Sequence, residues 1–214
     1  MSNDAVLDPG EFPWLPALER DWPEVRAELD RVLARKDELP GFQDILADVG
    51  AVTQDRGWKS FLLIGAGIPL RRNIAQCPRT WRLVSAIPGL STAMFSIFEP
   101  GKELPPHRGP YNGVLRLHLG LIVPDAGDAV AIRVGSRVCR WEEGRALVFD
   151  DSFEHEAWNR SDRVRVVLFV DFLRPLRFPA NLLNRALLAF AMRAPFIRDA
   201  QRRQERWEAA FYGD

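Results

Sequence analysis

The chain is poor in cysteine and histidine, has no long apolar run, and carries no excess of either charge. Two cysteines, Cys77 and Cys139, in 214 residues are too few for a disulfide scaffold and fit a reduced, cytosolic chain. The longest apolar runs, such as residues 186–192 (ALLAFAM), fall far short of the ~20 residues that a bilayer-spanning helix needs. The opening MSNDAVLDPGEFPW is acidic and has no apolar core, so no secretory leader is expected. Lysine plus arginine number 29 and aspartate plus glutamate 29, which removes any global pull toward nucleic acid. No internal repeat or low-complexity tract is present. This length suits one domain with a sizeable core.

The pattern divides the chain into an N-terminal helical segment (1–56), a β core (57–175) and a C-terminal helical extension (176–214). Residues 22–36 (WPEVRAELDRVLARK) place Val25, Leu29, Val32 and Leu33 at helical spacing, with Asp21 as a candidate cap and Glu24 three residues after it. From Gly57 onward, short apolar or alternating runs are cut by Pro/Gly turns: GWKSFLLIG, TWRLVSAIPG, STAMFSIFEPG, VLRLHLGLIVP, DAVAIRVGSRVCRW, RALVFDD and VRVVLFVDF. Seven or eight strands at this spacing argue for an all-β sandwich or barrel. A hairpin turn is expected at 134–138 (VGSRV) and another turn at 141–144 (WEEG). Helix returns over 181–192 and 198–211.

Residues two apart on a strand share a face. In 114–121 the leucines 115, 117, 119 and 121 line one face, and Arg116, His118 and Gly120 the other. In 164–172, Arg163, Arg165, Val167 and Phe169 share a face. Antiparallel sheets commonly face water on one side, where arginines are simply solvated. Here that face is partly apolar and lies beside a histidine-bearing loop. A polar stripe turned into a barrel would need an anionic ligand to compensate a buried guanidinium.

The chain has three histidines, His107, His118 and His155, and Arg165 follows His155 by ten residues. Imidazole suits Fe, Zn, Cu or Ni. Two distant histidines followed by an arginine fit a non-haem iron oxygenase that uses a 2-oxo acid, with the arginine fork on the far carboxylate. Position 109, where a His-x-carboxylate motif would put the third ligand, is glycine. Asp150, Asp151, Glu154 and Glu156 surround His155. One of the two aspartates is expected to orient an imidazole and the rest to be solvated.

The segments HRGPYNGVLRLHLGLIVP, WEEGRALVFDDSFEHEAWN and RVRVVLFVDFLRP together resemble the aspartyl/asparaginyl β-hydroxylase family, which takes in bacterial lipid A 2-hydroxylase-like proteins. The resemblance covers roughly residues 58–175. It implies a double-stranded β-helix (jelly roll) flanked by helices, dependent on Fe(II), 2-oxoglutarate and O2. Residue by residue it implies His107 and His155 as metal ligands, with water replacing the carboxylate that Gly109 cannot supply. Arg165 and Ser96 would hold one 2-oxoglutarate carboxylate, Arg116 and His118 would lie near the other, and Trp58 would wall the site. A halide in the open position is the rarer alternative that Gly109 admits.

The substrate is less legible. An Asp/Asn-type β-carbon or related small molecule is the first expectation, a lipid acyl chain the second, and a non-catalytic jelly-roll binding protein the third. From Asp171 to the end there are eight arginines, no lysine and five acidic residues, beside the apolar 181–192 segment. Basic and apolar helices can lie on an anionic membrane, which would place the chain at the inner face of the membrane. The same segment could instead pack on the barrel or on a second subunit.

Overall fold

The computed structural model describes residues 4–46, 53, 55–191 and 194–213. Among these, eleven strands form two antiparallel sheets. In chain order the elements are β1 (Val6–Leu7), α1 (Leu15–Arg20), α2 (Trp22–Leu33), α3 (Phe42–Ile45), β2 (Trp58–Gly65), β3 (Ile68–Pro69), α4 (Arg71–Gln76), α5 (Pro78–Ser85), β4 (Leu90–Phe98), β5 (Lys102–His107), β6 (Val114–Ile122), β7 (Val130–Val134), β8 (Arg137–Cys139), β9 (Ala146–Phe149), β10 (His155–Asn159), β11 (Arg165–Leu173), α6 (Ala180–Ala191) and α7 (Pro195–Tyr212). The larger sheet runs β1-β9-β6-β11-β4-β2-β3 and the smaller β5-β10-β7-β8. This is the jelly-roll sandwich with helices at both ends.

Neither face of the larger sheet is wet. Leu115, Leu117, Leu119 and Leu121 of β6, with Val166, Leu168 and Val170 of β11, are fully buried in one cluster with Leu15, Leu18, Val25, Leu29, Val84 and Phe211 of the helices. Each such leucine contributes about 1.5–3 kcal/mol relative to exposure. The other face closes against the smaller sheet around Trp58, Leu62, Met94, Phe98, Ile132, Trp141, Phe149, Val167 and Phe169. The arginine- and histidine-bearing faces of β6 and β11 therefore point into the sandwich, not into solvent.

Three expectations change. TWRLVSAIPG is not a strand: α5 occupies Pro78–Ser85. The buried Glu28 of α2 decides this, since its carboxylate accepts from the backbone N–H of Arg79 (3.0 Å) and Thr80 (2.8 Å), satisfying first-turn donors that only a helix leaves open. Asp21 precedes α2 without capping it, because the adjacent Arg20 fork takes both its oxygens at 2.7 and 3.0 Å. A further strand, β5, forms from KELPPH despite two prolines. It is an edge strand, where missing N–H groups cost no ladder bond. The expected hairpin closes at Gly135, held at φ 58°, with Val134 opposite Arg137. Among the described residues, no helix is long and apolar enough to cross a membrane.

Candidate active site

Strand register assembles the site. His107 ends β5 and stands directly opposite His155, which begins β10, with the two ring centroids 4.2 Å apart. The pairing passes through a bulge: Ala157 opposes Leu104, so Pro105 and Pro106 supply one residue more than the facing strand. Each Nδ1 lies against a backbone carbonyl two residues back, Pro105 O at 2.8 Å for His107 and Phe153 O at 2.9 Å for His155. A carbonyl only accepts, so Nδ1 carries the proton and both Nε2 lone pairs are left for a ligand. Burial, reinforced by the Arg116 charge, lowers His155 to about 3 and lowers His107 as well. Two neutral, oriented imidazoles side by side could together donate to a metal.

Beside them is a small chamber of about 30 Å³ into which His107, His155, Ser96, Arg116, His118 and Arg165 bring polar groups, between apolar walls that include Trp58, Phe98, Leu104 and Phe149. Arg165 sits at 1% exposure between the faces of Phe98 (3.7 Å) and Trp141 (4.4 Å). Its Nε and Nη1 have no hydrogen-bond partner, and no carboxylate pairs with it among the described residues. Burial lowers its pKa from the ordinary arginine range to about 9. Ser96 Oγ accepts from Trp58 Nε1 at 3.0 Å, which leaves the serine hydroxyl free to donate. His118 Nδ1 accepts from Trp141 Nε1 at 3.3 Å. The indole only donates, so the His118 proton is on Nε2, a buried donor without a partner. Burial and the Arg165 charge hold His118 well below its ordinary pKa. Arg165, Ser96 and His118 are thus three sets of donors around a chamber that supplies no anion.

Arg116 is different. Its fork binds Asp171 at 2.8 and 3.0 Å, its Nη2 lies 3.0 Å from Asp151, and it stacks on Phe169 at 4.2 Å. Burial works against its charge, but the Asp171 and Asp151 carboxylates outweigh it and raise the pKa. The arginine expected to stand near a co-substrate carboxylate is already neutralised by the protein. Burial pushes Asp151 up to about 6 against the pull of Arg116, and its Oδ1 is unpartnered.

Asp151 also explains Gly109. A Cβ on residue 109 would fall 2.2 Å from Asp151 Oδ2, so a carboxylate side chain has no room there. Asp150 instead accepts from the Ser152 N–H (3.0 Å) and hydroxyl (2.6 Å) and pairs with Arg174, shaping the turn before His155. Glu154 and Glu156, expected to be merely solvated, both pair with Arg133. No group of three or more His, Cys, Asp or Glu is placed to hold a metal among the described residues. The two histidines therefore fit an iron site in which other coordination positions are left to water or co-substrate. The orphaned donors of Arg165 and His118 fit a bound carboxylate.

The chamber opens into a far larger cleft of about 630 Å³. Trp58, His107, Arg116 and Phe169 line both. The cleft walls are mostly apolar: Phe42, Ile45 and Leu46 of α3 and its end, Leu62, Ile68 and Leu70, and Phe196, Ile197 and Ala200 of α7. Polar residues line it too, among them Ser91, Thr92, Arg108, Gln201 and the buried Gln204, whose Oε1 is unpartnered.

A family model described as aspartyl/asparaginyl beta-hydroxylase matches residues 19–175. The chain belongs to that family. The hydroxylase family includes an ornithine lipid ester-linked acyl 2-hydroxylase of Rhizobium tropici, 56% identical over all 214 residues and 76% covered in return. It also includes the human aspartyl/asparaginyl beta-hydroxylase, 36% identical over 74% of this chain but matched over 21% of its own length. Among solved structures, a Pseudomonas putida prolyl-4-hydroxylase aligns over 76% of this chain and 100% of its own, with a TM-score of 0.46 and 18% identity. Within the family framework, sequence reasoning missed two residues of the site. Asp171 sits opposite Arg116 in the β11–β6 register, on the face that also carries Arg165, Val167 and Phe169, so extending the alternation by two would have found it. Trp141 lies in a turn-like WEEG stretch, with no local signal that its ring would cover Arg165.

Proposed function

We propose that the protein is an Fe(II)/2-oxoglutarate-dependent hydroxylase of a lipid acyl chain. The observation that carries the cofactor assignment is Arg165, a fully buried guanidinium with unpartnered donors beside two neutral imidazoles. A buried cation is retained at such a cost only where an anion compensates it in the working state. His107 and His155 would hold the metal through Nε2. Arg165 and the Ser96 hydroxyl would hold the far carboxylate of the co-substrate, with the His118 Nε2–H as a third donor. When bound, iron(II) and 2-oxoglutarate supply the oxygen-activating chemistry that hydroxylates an unactivated C–H bond.

The chain's own contribution is binding, orientation and exclusion of water. Phe98 and Trp141 shield the Arg165 fork. The backbone carbonyls of Pro105 and Phe153 fix both imidazole tautomers. Asp151, beside Gly109, offers an acceptor where a ligand carboxylate is missing. Of the substrate classes open from the sequence, the mostly apolar cleft favours an acyl chain, which would lie against Phe42, Ile45, Leu62, Phe196 and Ile197, while Arg108, Ser91, Thr92 and Gln201 line the same cleft and suit a polar headgroup. The 56% identity to a protein named as an acyl hydroxylase supports the same class.

The test supplies purified protein with Fe(II), 2-oxoglutarate and an acylated amino-acid lipid, and measures succinate together with a gain of one oxygen atom on the acyl chain. Succinate and oxygenated lipid in equal amounts are expected. Absence of both 2-oxoglutarate binding and turnover would sink the cofactor reading. Oxygenation of an Asp-containing peptide with none on the lipid would sink the acyl reading alone.

A further inference from the structure

Helix α6 is amphipathic in the inverted sense. Asn184 faces the protein at 4% exposure, accepting from the Tyr111 hydroxyl and donating to the Gly113 carbonyl at 2.8 Å. Leu182, Leu183, Ala186, Leu187 and Phe190 recur at the i, i+1, i+4, i+5, i+8 spacing of a single helical stripe, and that stripe is exposed. Phe190 is 76% exposed, Leu183 63% and Leu182 55%. Phe178, just before the helix, is 77% exposed. A contiguous apolar surface of this size on a folded chain marks an interaction site.

We propose that this stripe is a docking surface for an anionic phospholipid bilayer, with α6 lying in the plane of the interface. Three observations select a bilayer. First, Arg177, Arg185 and Arg198 flank or interrupt the stripe and make no ion pair among the described residues, so their charge is available to anionic headgroups. Second, the half-exposed Phe196 of α7 also lines the large cleft, so apolar surface is presented at the cleft as well as on α6. Third, Asn184 ties α6 to the Tyr111–Gly113 loop, a few residues beyond His107, which sets the docking helix beside the site. The inference concerns a surface outside the polar chamber. It explains how an acyl chain could pass from a membrane into the cleft, but its evidence does not depend on turnover.

The test is flotation of the full chain with vesicles of phosphatidylcholine alone and of phosphatidylcholine with about one third phosphatidylglycerol, scored without substrate. Binding to the anionic vesicles is expected, weakened by salt, with affinity falling about fivefold for each of Arg177→Ala and Arg185→Ala. Leu183→Glu with Phe190→Glu is expected to weaken it at least about tenfold while leaving thermal unfolding and 2-oxoglutarate binding unchanged. No vesicle binding by the unaltered chain overturns the proposal. So does equal binding by the double-glutamate variant. Concentration-dependent self-association in sedimentation, abolished by the same variant while vesicles are ignored, would reassign the stripe to a second copy of the chain.

Discussion

Arg165→Met should make the protein without co-substrate more stable and at the same time abolish its response to 2-oxoglutarate. The native guanidinium is held without a counter-ion, and its fall from the ordinary arginine range to about 9 corresponds to ~5 kcal/mol of destabilisation. The sign follows from linkage. The folded state binds the proton more weakly than the unfolded state, so the penalty is fully present at neutral pH and fades only as pH rises through about 9 toward the ordinary arginine range. Methionine keeps the apolar stem but gives up the contacts to Phe98 and Trp141, about 2 kcal/mol together, and leaves unfilled space costing about 1 kcal/mol. The net gain is ~2 kcal/mol, or a rise in Tm of about 4–8 °C for a chain of this size. Saturating 2-oxoglutarate with a divalent metal should stabilise the native protein by about 2.7 kcal/mol at a hundredfold excess over Kd, and the variant hardly at all. The order of the two melting temperatures should therefore invert on adding co-substrate. Differential scanning calorimetry reads both. A variant that melts well below the native protein without ligand, or that keeps the full ligand shift, would falsify the argument that Arg165 is an unpaired cation awaiting a carboxylate.

Gly109→Ala should cost about 1–3 kcal/mol by forcing Asp151 aside, and Asp151→Gly in the same chain should recover part of that loss, a coupling of about 1 kcal/mol or more in a double-mutant cycle. Additive losses in denaturant unfolding would exclude the contact. Asn184→Leu removes the polar tether of α6 and leaves Gly113 O and Tyr111 OH without it, for about 1–3 kcal/mol locally. Limited proteolysis should then cut within 175–180 markedly faster, and an unchanged cutting rate would mean that other contacts hold the helix. Ala200→Phe narrows the cleft without touching the polar chamber, so acyl oxygenation should fall while 2-oxoglutarate binding by calorimetry stays the same. His155→Ala should abolish metal binding measured by equilibrium dialysis, and undiminished binding would place the metal elsewhere.

The parts of this site that could be read from the sequence are those governed by alternation and spacing. The leucines of β6 announced one face and Arg116 and His118 the other, and only the destination of each face was open, since helices that cover a sheet leave no mark on the strand itself. Asp171 was within reach of the same rule. What lay beyond it depends on contacts between distant segments. Glu28 turns residues 78–85 into helix from fifty residues away. Trp141 covers Arg165 from a turn. The cleft wall comes from α7, whose stripe of Phe196, Ile197, Ala200 and Gln204 reads locally as an ordinary core-facing side. Arg116 and Arg165 look alike as residues, and only the placement of Asp171 and Asp151 makes one neutralised and the other not.

The bulge at Pro105–Pro106 has a consequence for how the site is acquired and lost. Because it lies in an edge strand, the extra residue disturbs a single ladder, yet the bulge decides where His107 points: were both prolines to continue the regular ladder from Leu104, Pro106 would oppose His155 and His107 would turn to the other face. Deleting one proline together with the bulge would instead leave His107 opposite His155 in an unbroken ladder. The two histidines can thus face each other or part by a one-residue change in phase, with both still present in the sequence.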